Sequence, residues 1–202
     1  MIAIVDYGVG NLFSLCSSFE KIGARVVVTS DKEAIKRADK ILLPGVGAFA
    51  DAAAKLRASG LDELIKEEAR KGKPIMGICL GMQLLFERSY EYGCHEGLGL
   101  LKGSVVPMKG KIDDGLKIPH IGWNGLHFEK GHFLFKYLKE GDCAYFVHSY
   151  FATDCEDSVI ATTEYGAKIT AAVAQGNVTG CQFHPEKSGD VGLNILRAFC
   201  EA

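Results

Sequence analysis

One thiol in this sequence stands where it could attack a carbonyl. In Gly77-Ile78-Cys79-Leu80-Gly81 a strand-like run, "KPIMGI", gives way to a helix-like one, "MQLLF", with Cys79 at the junction and a glycine two residues to either side. Hydrolases use this spacing around serine. A sharp strand-to-helix turn holds the nucleophile in a strained conformation, and its neighbours must be small for the turn to close. At a helix start, unpaired backbone N–H groups and the positive end of the dipole favour thiolate over thiol. A single cysteine in an apolar stretch is more often packing than chemistry, so the reading depends on finding a base.

Six histidines are available, at 95, 120, 127, 132, 148 and 184. His184 stands out in "TGCQFHPEKSG", directly after an apolar strand, with Pro185 stiffening the turn and Glu186 two residues on. Residues two apart in an extended segment point the same way, so the carboxylate can orient one imidazole nitrogen while the other faces the thiol. Cys79, His184 and Glu186 would then be nucleophile, general acid/base and orienter. Acyl transfer also needs donors for an oxyanion. The Leu80 N–H is one; the loop "PGVGAF", with Gly45, Val46 and Gly47, leaves a strand where bare backbone N–H groups can approach a ligand. That loop reads equally well as a plain strand-to-helix turn.

These residues need a frame. Strand-length apolar runs alternate with helix-period segments through the first half: 2–6 then 11–21, 25–29 then 31–38, 40–45 then 48–71, with 74–78 as the next strand. Runs that are apolar at every position are covered on both faces, which predicts an α/β fold with a mostly parallel central sheet and helices on both sides. After residue 95 come short strands separated by turn residues, expected to form an antiparallel extension of the same sheet, and a last helix near 188–200. No repeat or linker is visible, so residues 1–202 are expected to form one domain.

Composition narrows the classes. The net charge of −2 gives no electrostatic footprint for nucleic acid. No apolar run approaches the roughly 18 residues of a membrane helix, and the N-terminus lacks a basic flank and cleavage site, so a soluble cytoplasmic protein with no membrane partner is expected. Seven cysteines without a CxxC pair argue against a disulfide framework or a thiolate metal site, and most are expected to be buried. "DYGVGNLFS" supplies two glycines of a dinucleotide fingerprint, but the third position is Phe13, so a tight turn with Asn11 at a helix N-cap is the better reading. No cofactor is called for.

With GxCxG, HPE and PGVG together, the chain resembles the class I (triad) glutamine amidotransferases over its full length. Within that class, "DYGVGNLFS", "PHIGWN", "YFVHSYF" and "FHPEKSGDVGLNIL" resemble the glutaminase subunits of imidazole glycerol phosphate synthases, enzymes of histidine biosynthesis. The resemblance implies glutamine hydrolysis through a Cys79 thioester, with His184 as base and Glu186 as its partner. It implies a (β/α)8-barrel cyclase subunit as partner, in a heterodimer that channels the ammonia. Gln83, His148, Ser149 and Tyr150 are implied to bind glutamine; Gln83 is supported independently, because positions i and i+4 share a helix face. Asn11, Trp123, Asn124, Tyr145 and Lys187 are implied to lie at the docking face. Ile121 stands where the resemblance would place Met. A glutaminase feeding another pathway (anthranilate, vitamin B6 or a nucleotide), a thiol peptidase or glyoxalase-like enzyme, and a non-enzymatic binding module are the alternatives.

Overall fold

The structure is a computed structural model and describes residues 1–202. Four strands alternate with helices: β1 (Ile2–Val5), α1 (Leu12–Lys21), β2 (Val26–Thr29), α2 (Lys32–Arg37), β3 (Lys40–Leu43), α3 (Phe49–Ser59), α4 (Leu61–Arg70), β4 (Ile75–Ile78) and α5 (Leu80–Leu84). Strands then dominate: β5 (Phe86–Ser89), β6 (His95–Glu96), β7 (Leu101–Pro107), β8 (His120–Gly125), β9 (His127–Phe128), β10 (Cys143–His148), β11 (Tyr150–Thr153), β12 (Val159–Glu164), β13 (Lys168–Gln175) and β14 (Val178–Cys181). A closing helix, α6, spans Gly189–Glu201.

The main sheet has the order β2-β1-β3-β4-β14-β13-β12-β9. Pairing is parallel from β2 to β14 and antiparallel beyond. Side chains alternate between two cores, as the period of a strand requires. Ala3 and Val5 of β1 join residues of α3, α4 and α5 on one face, while Ile2 and Ile4 join residues of α1 and α6 on the other. The helices therefore cover both faces, and β1, β3 and β4 are buried throughout. At the sheet edge, β2 is covered less completely.

Three expectations change. The second half is not one extension: only β9, β12 and β13 extend the sheet antiparallel. β10 pairs with β8 in a separate ribbon, and β11-β7-β5-β6 form a third sheet, in which β5 and β7 are parallel. Local alternation marks a strand but not its partner. The long helix of 48–71 is two helices, because Gly60 adopts φ 65° between α3 and α4. Of seven cysteines only Cys79, Cys155 and Cys181 are buried; Cys16 and Cys200 are partly covered, and Cys94 and Cys143 are exposed. Asn11 does cap α1, accepting from Ser14 N at 3.4 Å. No helix is long and apolar enough to cross a membrane.

Because β1, β3, β4 and β14 are parallel, the segments after them emerge at one edge. There α5 lies across the sheet with almost no clearance. Gly77 and Gly180 are register partners on β4 and β14; a Cβ on Gly77 would sit 2.6 Å from the Gly81 carbonyl oxygen, and one on Gly180 2.7 Å from Met82 Cγ. A Cβ on Gly81 would lie 1.9 Å from the Leu43 carbonyl oxygen. Gly81→Ala should therefore destabilise the fold by on the order of 3 kcal/mol in urea unfolding. Gly131→Ala, which meets nothing within 4 Å, should stay within about 0.5 kcal/mol of wild type. Equal midpoints for the two variants would contradict this packing.

Candidate active site

Cys79 joins β4 to α5 with φ 54° and ψ −113°, a region L-residues avoid. Its N–H donates to the Cys181 carbonyl (2.8 Å), and its carbonyl accepts from Gln83 N (3.1 Å), so the strained residue is tied to sheet and helix. The helix is only five residues long, so its dipole is a small part of what acts on the sulfur. The nearby imidazole matters more.

His184 follows β14 and enters a 3-10 turn at Pro185–Lys187. Its N–H donates to the Tyr145 carbonyl (2.9 Å), and its carbonyl accepts from Ser188 Oγ (2.7 Å). His184 Nδ1 lies 2.8 Å from Glu186 Oε1, with both side chains nearly inaccessible at 3% and 2%. The carboxylate fixes hydrogen on Nδ1 and leaves Nε2 for the thiol. Burial alone pulls this imidazole down; hydrogen bonds and charge from Cys79 and Glu186 outweigh it and raise the pKa from 6.5 to about 10. An imidazole oriented by a carboxylate beside a cysteine is the arrangement by which thiol enzymes activate sulfur. Glu186 Oε2 is buried without a partner, a desolvation cost offset by that charge.

Cys79, His184, Gln83, His148, Ser149 and Tyr150 line one cavity of about 720 Å³. Of the expected oxyanion donors, Val46, Gly47 and Leu80 line it, but Gly45 does not. Gly45 is instead the packing point beneath the loop: a Cβ there would lie 2.7 Å from Gly81 N. Trp123 and Tyr145 meet edge to face at 6.0 Å, and Lys187 Nζ lies 5.8 Å from the Tyr145 ring centroid. They form a patch beside the site, whereas the Asn11 side chain serves as a helix cap.

Two residues escaped the sequence reading. Gln182, fully buried, sends Nε2 to Cys79 Sγ (3.7 Å) and accepts at Oε1 from Gln83 Nε2 (2.9 Å). Gln83 Nε2 also donates to the Tyr150 carbonyl (3.1 Å). Both partners of Nε2 accept, so Gln83 Oε1 is left as its free acceptor. The signal was a glutamine within the apolar "GCQF", since a buried polar group is the informative exception. Glu91 brings a carboxylate to the cavity wall, held by Phe49 N at 2.5 Å. It lies in a loop after β5 with no local pattern.

A cysteine on a strained turn, a buried His–Glu pair and a cavity at the carboxyl edge of a parallel sheet define a thiol acyl-transfer enzyme of the amidotransferase class. The chain belongs to the class-I glutamine amidotransferase family, whose model matches residues 3–202, and within it to the HisH group. The chain is 51% identical over 201 residues to the "Imidazole glycerol phosphate synthase subunit HisH" of Lactococcus lactis, covering 99% of this chain and 98% of that protein. It is 55% identical to the protein of that name from Sulfurimonas denitrificans, covering 98% and 97%. Among solved structures, a "glutamine amidotransferase" superposes with TM-score 0.78 at 18% identity, covering 100% of this chain and 98% of the other. PurLQS from Thermotoga maritima gives 0.75 at 24%, covering 99% and 97%; these two support the fold.

The raised pKa makes the His184–Glu186 pair a pH-dependent stabiliser. Because the folded value lies above 6.5, its contribution is complete below pH 6.5 and is lost as pH rises towards 10. Glu186→Gln should lower the imidazole pKa in an NMR titration. The stability gap between wild type and variant should narrow between pH 6.5 and 10, and a constant gap across that range would contradict the pairing.

Proposed function

We propose that this chain, the glutaminase subunit of an imidazole glycerol phosphate synthase of histidine biosynthesis, hydrolyses glutamine through a thioester on Cys79. The arrangement that carries the reading is Cys79 beside an imidazole that Glu186 orients, at the base of a cavity large enough for an amino acid. The sulfur attacks the side-chain carboxamide carbon, forming a C–S bond and an oxyanion received by backbone N–H groups of Leu80 and of the Val46–Gly47 loop. Collapse breaks the C–N bond as His184 gives its proton to the leaving ammonia. His184 then removes a proton from water, which attacks the thioester and frees glutamate. Gln83, Ser149 and Tyr150 bind the glutamine, His148 walls the same cavity with both ring nitrogens engaged by His120 and the Tyr150 carbonyl, and Glu91 receives its α-ammonium group.

The ammonia passes to a (β/α)8-barrel cyclase subunit in the cytoplasm. That subunit docks over β8 and the turn after β14. Ile121 and Trp123 are 58% and 55% exposed there, beside Tyr145 and Lys187, and Phe13, 82% exposed, stands next to Asn11 at the start of α1. Large exposed apolar side chains in one region mark a surface that is covered in the working assembly.

Cys79→Ala should still bind the barrel subunit yet release no glutamate; sustained glutamate from the purified variant would refute the assignment. Glu91→Gln should raise KM for glutamine by about tenfold or more with a smaller change in kcat, since it removes a charge-assisted contact. An unchanged KM would remove Glu91 from the substrate site.

A further inference from the structure

Asn124 lies beside Trp123 on β8 and forms the outer end of a polar chain that runs to the nucleophile. Asn124 Nδ2 donates to the Glu164 carbonyl (3.0 Å), and Oδ1 stands 2.8 Å from His120 Nε2. His120 Nδ1 is 3.1 Å from His148 Nε2, and His148 Nδ1 is 2.8 Å from the Tyr150 carbonyl. That carbonyl also accepts from Gln83, which reaches the Cys79 sulfur through Gln182. His120 is fully buried, its ring stacked between Tyr165 at 3.9 Å and Phe146 at 5.1 Å.

The hydrogens in this chain do not match its contacts. Between the Glu164 and Tyr150 carbonyls, which only accept, lie four contacts that each take one hydrogen. Two neutral imidazoles supply one each, and the Asn124 amide one more, so one contact always sets two acceptors face to face. With Asn124 Oδ1 towards it, His120 carries hydrogen on Nε2 and offers a bare Nδ1 to His148. His148 then either meets that nitrogen from Nε2, with its own bare Nδ1 against the Tyr150 carbonyl, or keeps its hydrogen on Nδ1 for that carbonyl and leaves two bare imidazole nitrogens 3.1 Å apart.

With the amide turned over, Asn124 Nδ2 donates to His120, His120 Nδ1 to His148, and His148 Nδ1 to Tyr150. The mismatch then moves to the exposed end, where Asn124 Oδ1 can take a donor from another molecule. An extra proton on the histidines would also close every contact. Burial opposes it: both imidazoles are pulled below the ordinary value, His148 to about 4, with the charges of His120 and His184 acting in the same direction.

We propose that Asn124 is a partner-operated switch: a hydrogen-bond donor of the docked subunit, received at Asn124 Oδ1, turns the amide over. The turn sets both histidines to the tautomers that hold the Tyr150 carbonyl, and with it Gln83, in place. This rests on the glutaminase and docking reading above. Asn124 and His120 are positioning residues, because they act through His148.

Histidine 15N NMR reads the switch directly. The hydrogen of His120 is expected on Nε2 in the free chain and on Nδ1 in the complex with the barrel subunit; one unchanged tautomer in both would overturn the proposal. Asn124→Asp offers only acceptors to His120. At saturating barrel subunit, its stimulation of glutamine hydrolysis should fall about tenfold below that of wild type; full stimulation would overturn the switch. If Asn124→Asp does not bind, His120→Phe breaks the chain from inside and must lose the same stimulation, and its retention would overturn the switch equally. A wild-type chain that is not stimulated at all would remove the docking reading and the switch with it. Stimulation of wild type and variants alike removes the switch alone.

Discussion

The chemistry of this protein depends on how closely α5 approaches the ends of β3 and β4. With the Leu43 carbonyl 1.9 Å from where a Cβ of Gly81 would stand, and Gly77 facing the Gly81 carbonyl, the backbone has one way to leave β4. That way puts Cys79 at φ 54°, a conformation costing about 1–3 kcal/mol for a residue with a side chain. The strain persists because the turn is closed by the Cys79–Cys181 and Gln83–Cys79 backbone hydrogen bonds and by packing of Met82 and Leu84 into the core. The same crowding carries the PGVG loop, since Gly45 rests against the Gly81 backbone. Cys79 and the PGVG loop are thus positioned by one contact.

Charge at the site follows from burial. His184 and Glu186 are nearly sealed from solvent, where an unpaired ion would be expensive and a paired one is strongly held. Their pairing keeps a proton on the imidazole beside the thiol, and Gln182 also donates to the sulfur. Gln182 is itself held by Gln83, and Gln83 by the Tyr150 carbonyl. The surroundings of Cys79 therefore extend through side-chain amides to strands outside the main sheet. β8, β10 and β11 each contribute one member of that polar shell: His120, His148 and Tyr150.

Much of the reactive core was legible because its signals are local. Two glycines at fixed offsets from Cys79, and Glu186 two residues from His184, encode a turn and an orienting hydrogen bond within a few residues of chain. The parallel sheet was equally readable from runs apolar at every position. What the sequence hid depends on distant partners. Gln182 meets Gln83 across 99 residues, and His120 meets His148 across 28; neither contact has a local period. Partition of the later strands into three sheets was hidden for the same reason. The split at Gly60 was hidden because apolar positions keep a helical period through it.

The central claim is that strain and a paired imidazole make a buried thiol the reactive one. Brief treatment with a chloroketone analogue of glutamine, followed by peptide mass mapping, tests it directly, because Cys94 and Cys143 are exposed and compete. The expected result is a single adduct on Cys79, suppressed by glutamine and absent in His184→Ala. Adducts on Cys94 and Cys143 with Cys79 unmodified would contradict the account.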